Sequence, residues 1–131
     1  MIGQAIYTLL TGASAVSTLV GTRVYPDMAT QDAVYPFIVY SEEGADPSDT
    51  KDGVSTLDVV GLQVVIFSNS YATAQTLAEA ARVALDRSGG IIGGIDISSI
   101  RFTGQTSSPM NFDKHVFIIE QSYSVRKNRT R

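Results

Sequence analysis

The segment from Thr56 to Ser68 constrains the fold more than any other, because hydrophobic side chains fill both its odd and its even positions. Consecutive side chains of a strand point to opposite faces of the sheet, so a sheet covered on one side alternates apolar with polar residues. In this segment one face would carry Leu62, Val64 and Ile66, and the other would carry Val65 and Phe67. It therefore predicts a long strand with two faces to cover, and a bulge or sharp twist at Gly61.

Two further segments show the same apolar pattern on both faces. In the first segment, Phe37 and Val39 would lie on one face, and Ile38 and Tyr40 on the other. In the second, Val116 and Ile118 would lie on one face, and Phe117 and Ile119 on the other. Two interpretations remain open: the N-terminal segment closes the second face within the chain, or a partner covers it. Identical chains that contact one another head to tail can close into rings, so a self-assembling subunit is the sharper hypothesis.

Helical spacing occurs in two places. The apolar residues of the first are Ile2, Ala5, Ile6, Leu9 and Leu10, and a second short turn capped by Ser14 follows and ends at Gly21. These features predict a helical hairpin over residues 1–21. Asn69 or Ser70 can cap a longer helix that Ser88-Gly89-Gly90 ends, and its apolar face comprises Ala74, Leu77, Ala78, Ala81 and Leu85.

The predicted strands cluster around one long helix and do not alternate with several helices. They cover Pro36–Tyr40, Thr56–Ser68, Ser98–Thr103 and Lys114–Arg126, and Arg23–Pro26 forms a short extended piece. This order favours an α+β fold, with an antiparallel (mixed) four-stranded sheet on which the long helix and the N-terminal helical hairpin pack. The length of 131 residues predicts a single domain, 1–131.

Charge is distributed unevenly along the chain. Residues 1–125 carry six basic and thirteen acidic side chains, a balance of −7, whereas residues 126–131 carry +4. The acidic residues between 42 and 53, together with Pro47 and two glycines, predict a mobile acidic loop. The basic C-terminal tail is either solvated or docks on an acidic partner surface. An acidic body disfavours tight binding to nucleic-acid phosphates.

Residues that could carry chemistry lack the necessary neighbours. His115 is the only histidine and has no acid placed by a motif to orient it, and Asp46, Asp49 and Asp52 do not follow the alternate spacing of a calcium loop. The chain has no cysteine. We therefore predict that it is not an enzyme and has no catalytic, cofactor-binding or metal-binding residues. With neither a signal peptide nor a membrane-spanning run, we expect it to stay in the cytosol in which it is made.

The order of two motifs points to a family. Leu19-Val20-Gly21-Thr22-Arg23-Val24-Tyr25-Pro26 is followed by Tyr35-Pro36-Phe37-Ile38-Val39-Tyr40, and an acidic stretch, a long strand and an alanine-rich helix come next. From about Ile2 to Val125 the chain resembles the tail terminator (tail completion) protein family of long-tailed bacteriophages, which typically carries both motifs. The motifs mark a fold and carry no catalytic residue.

The resemblance implies a structural protein of the virion, at the tail-neck junction, assembled in the cytoplasm of the bacterial host. It implies a hexameric ring that caps the tail tube, ends tube polymerisation and provides a docking surface for the head-completion protein. The expected partners are other copies of the chain, the major tail tube protein and a head-completion or connector protein. DNA would pass through the lumen without sequence-specific contact, and neither a cofactor nor a membrane is involved.

Candidate contact residues follow from the apolar surplus and the charge pattern. Those expected at a subunit or tube interface are Val65, Phe67, Val116, Ile118, Glu42, Glu43, Asp46, Asp49, Asp52, Arg126 and Lys127. One alternative function is that of another head-tail connector or minor tail protein. A different class, a small ligand-binding α+β domain or an enzyme, would need a concave pocket with converging polar groups.

Overall fold

The computed structural model describes residues 3–27, 34–47, 57–92, 94–111 and 116–128. Its helices and strands are α1 (Gly3–Gly12), α2 (Ser14–Val20), β1 (Val24–Pro26), β2 (Phe37–Pro47), β3 (Leu57–Ser68), α3 (Tyr71–Leu85), β4 (Gly90–Ile92), β5 (Ile95–Asn111) and β6 (Val116–Asn128). The mixed α+β class predicted from the sequence is confirmed.

The described strands form one sheet of six, in the order β1-β2-β3-β6-β5-β4. The β1–β2 pair is parallel, and the other neighbouring pairs are antiparallel. The prediction of four strands was therefore too low, because β1 and β4 each have only three residues. A segment that short shows no periodicity from which a strand can be recognised.

The three described helices pack against one face of the sheet. The core on this face combines apolar residues of α1 and α2, the apolar stripe of α3 and alternate residues of the central strands. Leu62, Val64 and Ile66 of β3 are 0% exposed, as are Leu77 and Leu85 of α3. This face of β3 therefore packs against the long helix, and the hairpin lies on the same side as α3.

The ends of the helices differ slightly from those predicted. Ser14 is the first residue of α2 and Ala13 occupies the cap position, whereas the predicted stop at Gly21 has a φ of 60°. Ser70 caps α3, its Oγ accepting from the backbone N–H of Thr73 at 3.4 Å. The helix ends at Leu85, before the serine and glycines that were expected to end it.

Strand β2 continues into the acidic stretch. The prediction of a loop over 42–53 is therefore wrong for residues 42–47, which belong to β2 and lie beside β3. Residues 48–53 lie outside the described residues. The register shift falls between Glu42 and Ala45 of β2, opposite Gly61, whereas Gly61 itself pairs regularly with Ser124 of β6. The bulge predicted at Gly61 therefore belongs to the neighbouring strand.

The composition of this part of β2 explains the error. Strand β1 pairs only with Ile38 to Tyr40, so beyond Tyr40 β2 forms an edge of the described sheet. Edge strands commonly carry charged residues, which oppose unwanted pairing with other strands. The acidic residues of this part of β2 are therefore typical of a loop in composition, although their backbone is an extended strand.

The last two strands are also longer or shifted relative to the prediction. Strand β5 begins at Ile95 and ends at Asn111, far beyond the expected Ser98–Thr103. Strand β6 runs from Val116 to Asn128 and so includes the first half of the basic segment 126–131. Residues 129–131 lie outside the described part of the chain.

Candidate interaction surface

The sheet face opposite the helices is the candidate functional site, and we call it the helix-free face. Its described side chains come from Val39 and Ser41 of β2, Val59, Gln63, Val65 and Phe67 of β3, Ile118, Glu120, Ser122, Ser124 and Arg126 of β6, and Ser99 and Arg101 of β5. Each of these residues is at least partly exposed. Most strand residues on the opposite face are buried, so the two faces differ sharply in exposure.

An aromatic cluster occupies one end of the helix-free face. The ring of Phe37 stacks on Phe67 at a centroid distance of 4.8 Å and on Tyr35 at 5.3 Å, and Tyr25 meets it edge-on at 6.0 Å. Phe37 is only 7% exposed although it lies outside the main core. Because offset and edge-on pairs each contribute about 0.5–1.5 kcal/mol, the cluster gives this end of the face its own packing.

Apolar side chains continue from the aromatic cluster across the central strands. Ile118 lies opposite Phe67, and Val65 lies between Val39 and Glu120 in the neighbouring strands. Val65, Phe67 and Ile118 are half-buried and keep part of their surface accessible. Val116 is 3% exposed, so it offers little surface to a partner. Three of the four apolar residues expected at an interface thus form one accessible patch.

The other end of the helix-free face is polar and basic. Ser99, Arg101, Ser124 and Arg126 line a groove of about 550 Å³, together with Phe102 and Thr103. Arg126 was expected at an interface, and Arg101 was not. Nothing in the sequence around Arg101 marks it as a contact residue, since only the register of β5 against β6 places it beside Arg126. Lys127 is half-buried and lies opposite Asp58 and Ile97.

The acidic candidates lie on the far side of β3 from this groove. Glu42 lines a smaller pocket of about 250 Å³ with Asp27 and Tyr40, at the margin between α1 and the sheet. Glu43 and Asp46 belong to the edge portion of β2, where Asp46 lies opposite Val59. Asp49 and Asp52 lie outside the described residues. The structure therefore places the acidic candidates it describes near one sheet edge and the basic ones toward the other.

Arg23, the arginine of the first motif, has a structural role. Its Nε donates to the carbonyl oxygen of Pro36 at 3.1 Å, and its Nη2 donates to that of Leu19 at 3.1 Å. The side chain thus ties the end of α2 to the start of β2. This tie helps to hold the two motifs together, and their aromatic residues build the cluster on the helix-free face.

A fully buried polar residue, Gln121, supports packing. Gln121 is 0% exposed, and its Nε2 donates to the carbonyl of Ala78 in α3 at 2.8 Å and to Gln105 Oε1 at 3.0 Å. The hydroxyl of Tyr123 donates to Gln121 Oε1 at 2.9 Å. Burial, followed by the charge of Asp86, raises the pKa of Tyr123, so the hydroxyl remains a donor even above the ordinary tyrosine pKa of about 10.

Other features expected of a reactive site are lacking in the described part of the chain. It contains no group of three or more histidine and acidic residues placed to hold a metal ion. His115 lies outside it. None of its helices has the length and apolar character that crossing a membrane requires.

Comparisons with known proteins give one family match and one match of fold. A family model described as "Tail completion protein gp17" matches residues 4–117. A chain in the structure "Virion of native gene transfer agent (GTA) particle" has the same fold, with a TM-score of 0.78 and 19% identity, over 95% of this chain and 92% of that chain. A search of curated proteins finds no match. The resemblance carried by the two motifs is confirmed by the family model.

Proposed function

The chain belongs to the family of tail completion protein gp17 and is a structural tail protein, and on that premise we propose that it is the tail terminator of a long-tailed phage or phage-like particle. Copies of the chain form a ring of six at the tail-neck junction. The ring caps the tail tube, ends its polymerisation and presents a surface to the head-completion or connector protein. The particle is assembled in the cytoplasm of the bacterial host.

The accessible apolar patch on the helix-free face is the observation that carries the ring proposal. Val65, Phe67 and Ile118 are only half-buried in the single chain. Large contiguous exposed apolar patches mark sites of protein contact, and these three neighbouring side chains keep part of their apolar surface accessible. Since the described helices all lie on the other face, a neighbouring copy or the tail tube is the natural cover for this patch.

The charge balance supports a conduit for DNA. With −7 over residues 1–125, the body of each subunit offers few cations to phosphates. Binding to DNA strengthens with the number of phosphates that lysine and arginine neutralise. A ring of such subunits would let DNA pass without holding it, as a neck component must.

Native mass spectrometry and negative-stain electron microscopy test the ring directly. Six copies of the 14.0 kDa chain have a mass of about 84 kDa and should appear as an annulus with a central hole. Adding the tail tube protein should place the ring at tube ends and stop tube growth. A chain that stays monomeric both alone and with tube protein would refute the proposal, and a ring that binds only along tube walls would refute the terminating role.

A further inference from the structure

We propose that the free edge of β5 pairs with an extended acidic segment of a different protein of the particle, which thereby adds a strand to the sheet. The free edge is formed by residues 104–108 of β5. In strand addition of this kind, main-chain hydrogen bonds give affinity and side chains give specificity. The proposal goes beyond the ring and does not depend on it, because it uses the outer edge of the sheet and not the helix-free face.

The first argument is that the outer side of β5 loses its neighbour partway along the strand. Strand β4 pairs only with Ile95 to Ile97, and residues 87–88 then exchange two backbone hydrogen bonds with Ile100, at 2.7 and 3.0 Å. Residues 104–108 pair regularly with residues 118–122 of β6 on their inner side. No described strand lies on their outer side. Alternate N–H and C=O groups of the free edge therefore point away from β6 with no described strand to receive them.

The second argument is that the free edge lacks the charges that commonly protect edge strands. Beyond Tyr40, where β1 no longer pairs with it, β2 contains three acidic residues within 42–47. Charged residues on an edge strand oppose pairing with further strands. Residues 104–108 are instead one glycine, one glutamine, one threonine and two serines, with no charge among them. The free edge is therefore suited to receive a strand.

The third argument concerns the charge beside the free edge. Arg82, Arg87 and Arg101 are exposed and line one cavity of about 570 Å³, in whose lining Asp86 is the one acidic residue. Three arginines and one aspartate give a balance of +2, and Asp86 Oδ1 already accepts the backbone N–H of Phe102 at 3.0 Å. An added strand must end close to this cavity, because Asp86 and Arg87 already bond to the strand there. Carboxylates at that end of the added strand would therefore lie beside the arginines.

The occupant must match both the strand edge and the charge. A nucleic acid offers phosphates to the arginines but no alternating donors and acceptors to the free edge, and the body of the chain carries −7 over residues 1–125. A second copy could offer its own free edge, but that edge is uncharged and brings no carboxylate. The acidic stretch 42–47 of this chain belongs to β2, which is paired with β3. An extended segment of another protein, with carboxylates at one end, matches both features.

A synthetic peptide tests the contact directly. The probe has two glutamates followed by six alternating threonine and valine residues and is blocked at both ends. It is also made in reversed order, because an added strand can run in either direction. One of the two peptides should bind the dilute full chain and slow hydrogen exchange at the backbone amides of residues 104–108 by about tenfold or more. Methylating alternate backbone nitrogens of the peptide removes its donors and should abolish this protection.

Neutralising the arginines separates the charge from the strand pairing. Arg87→Gln with Arg101→Gln should weaken binding of the glutamate peptide by about tenfold or more, because charge complementarity is lost. A peptide with glutamines in place of the glutamates should bind this variant and the wild type equally. The matched control, Gln4→Glu with Ala72→Glu at exposed helix positions, also lowers the net charge by two and should bind both peptides as the wild type does. Circular dichroism of each variant checks that it is folded.

Other results would overturn the proposal. If neither peptide binds, or protection falls outside residues 104–108, the free edge receives no strand. Protection of these amides in the protein alone, rising with its concentration, would assign the edge to a second copy. Binding of a short duplex DNA without binding of either peptide would assign the arginines to nucleic acid, and equal weakening of the glutamate and glutamine peptides by the Arg→Gln variant would remove the acidic end from the occupant. A ring seen by native mass spectrometry in any of these cases would leave the proposed function intact.

Discussion

Replacing Val64 or Val65 with lysine is the most direct test of which sheet face is internal. The two residues are adjacent in β3 and identical in type, and each would receive the same charge. Val64 is 0% exposed and lies between Tyr40 and Gln121, whereas Val65 is half-buried on the helix-free face and lies opposite Glu120. Only their orientation differs.

The expected cost at Val64 is large. A lysine ammonium with an ordinary pKa of about 10.4 must lose its proton to stay buried at pH 7, and at about 1.36 kcal/mol per pKa unit this costs about 4.6 kcal/mol. Forcing the longer side chain into a packed core adds about 1–3 kcal/mol. The sum approaches the whole stability of a typical domain, about 5–15 kcal/mol. Val64→Lys should therefore leave the chain largely unfolded.

The expected cost at Val65 is small. Complete burial of a valine side chain is worth about 1.5–3 kcal/mol, and Val65 is partly exposed, so about 1–2 kcal/mol could be lost. A cross-strand pair with Glu120 returns about 0.2–1 kcal/mol. Val65→Lys should therefore fold with nearly unchanged stability and assemble poorly. Phe67 is a less clean position because it stacks on Phe37 within the chain.

Urea unfolding monitored by circular dichroism measures stability, and size-exclusion chromatography measures assembly. The reasoning is refuted if Val65→Lys lowers the unfolding midpoint as much as Val64→Lys does, because both faces would then be internal to one chain. Wild-type assembly by a stable Val65→Lys variant would show that the apolar patch is not the subunit contact.

Three further perturbations follow from single side chains. The lysine of Arg23→Lys cannot donate to the carbonyls of both Pro36 and Leu19, so this variant should be destabilised by about 1.5–3 kcal/mol in urea unfolding. An unchanged unfolding midpoint would show that Arg23 does not stabilise the fold. Ser70→Ala should lower the free energy of unfolding by about 1 kcal/mol because α3 loses its N-cap. Unaltered stability would show that the cap does not stabilise the helix. The raised pKa of Tyr123 stabilises the fold below the ordinary tyrosine pKa of about 10, and this contribution falls as pH rises above it. Tyr123→Phe should be less stable at pH 7 and lose less stability between pH 9 and about 11; an equal alkaline loss would assign the effect elsewhere.

The sequence predicts the parts of the fold in which one periodicity runs over many residues. Strand β3 and helix α3 are of this kind, and so is the division of β3 into a buried face and a second apolar face. Strand β1 is predicted only as a short extended piece and β4 is not predicted at all, because three residues show no period. The acidic half of β2 escapes prediction for another reason: at a sheet edge, charge is compatible with an extended backbone.

The candidate site is harder to predict because it depends on register. Val65, Phe67 and Arg126 follow from alternation and charge along their own segments. The stacking of Phe37 on Phe67 and the neighbouring positions of Arg101 and Arg126 arise only from how separate strands align. A sequence without pairing information contains no local signal for such neighbours.

Gln121 has a consequence for which alignments of β6 are possible. The inward side chains around it in β6, Ile119, Tyr123 and Val125, would still meet apolar neighbours if the strand slid by two residues, since such a slide preserves the alternation of faces. A slide of that length, about 6.8 Å, would carry the amide of Gln121 away from the carbonyl of Ala78. An unsatisfied buried polar group costs about 1–3 kcal/mol, so one internal amide penalises the shifted alignments that the apolar pattern alone would accept.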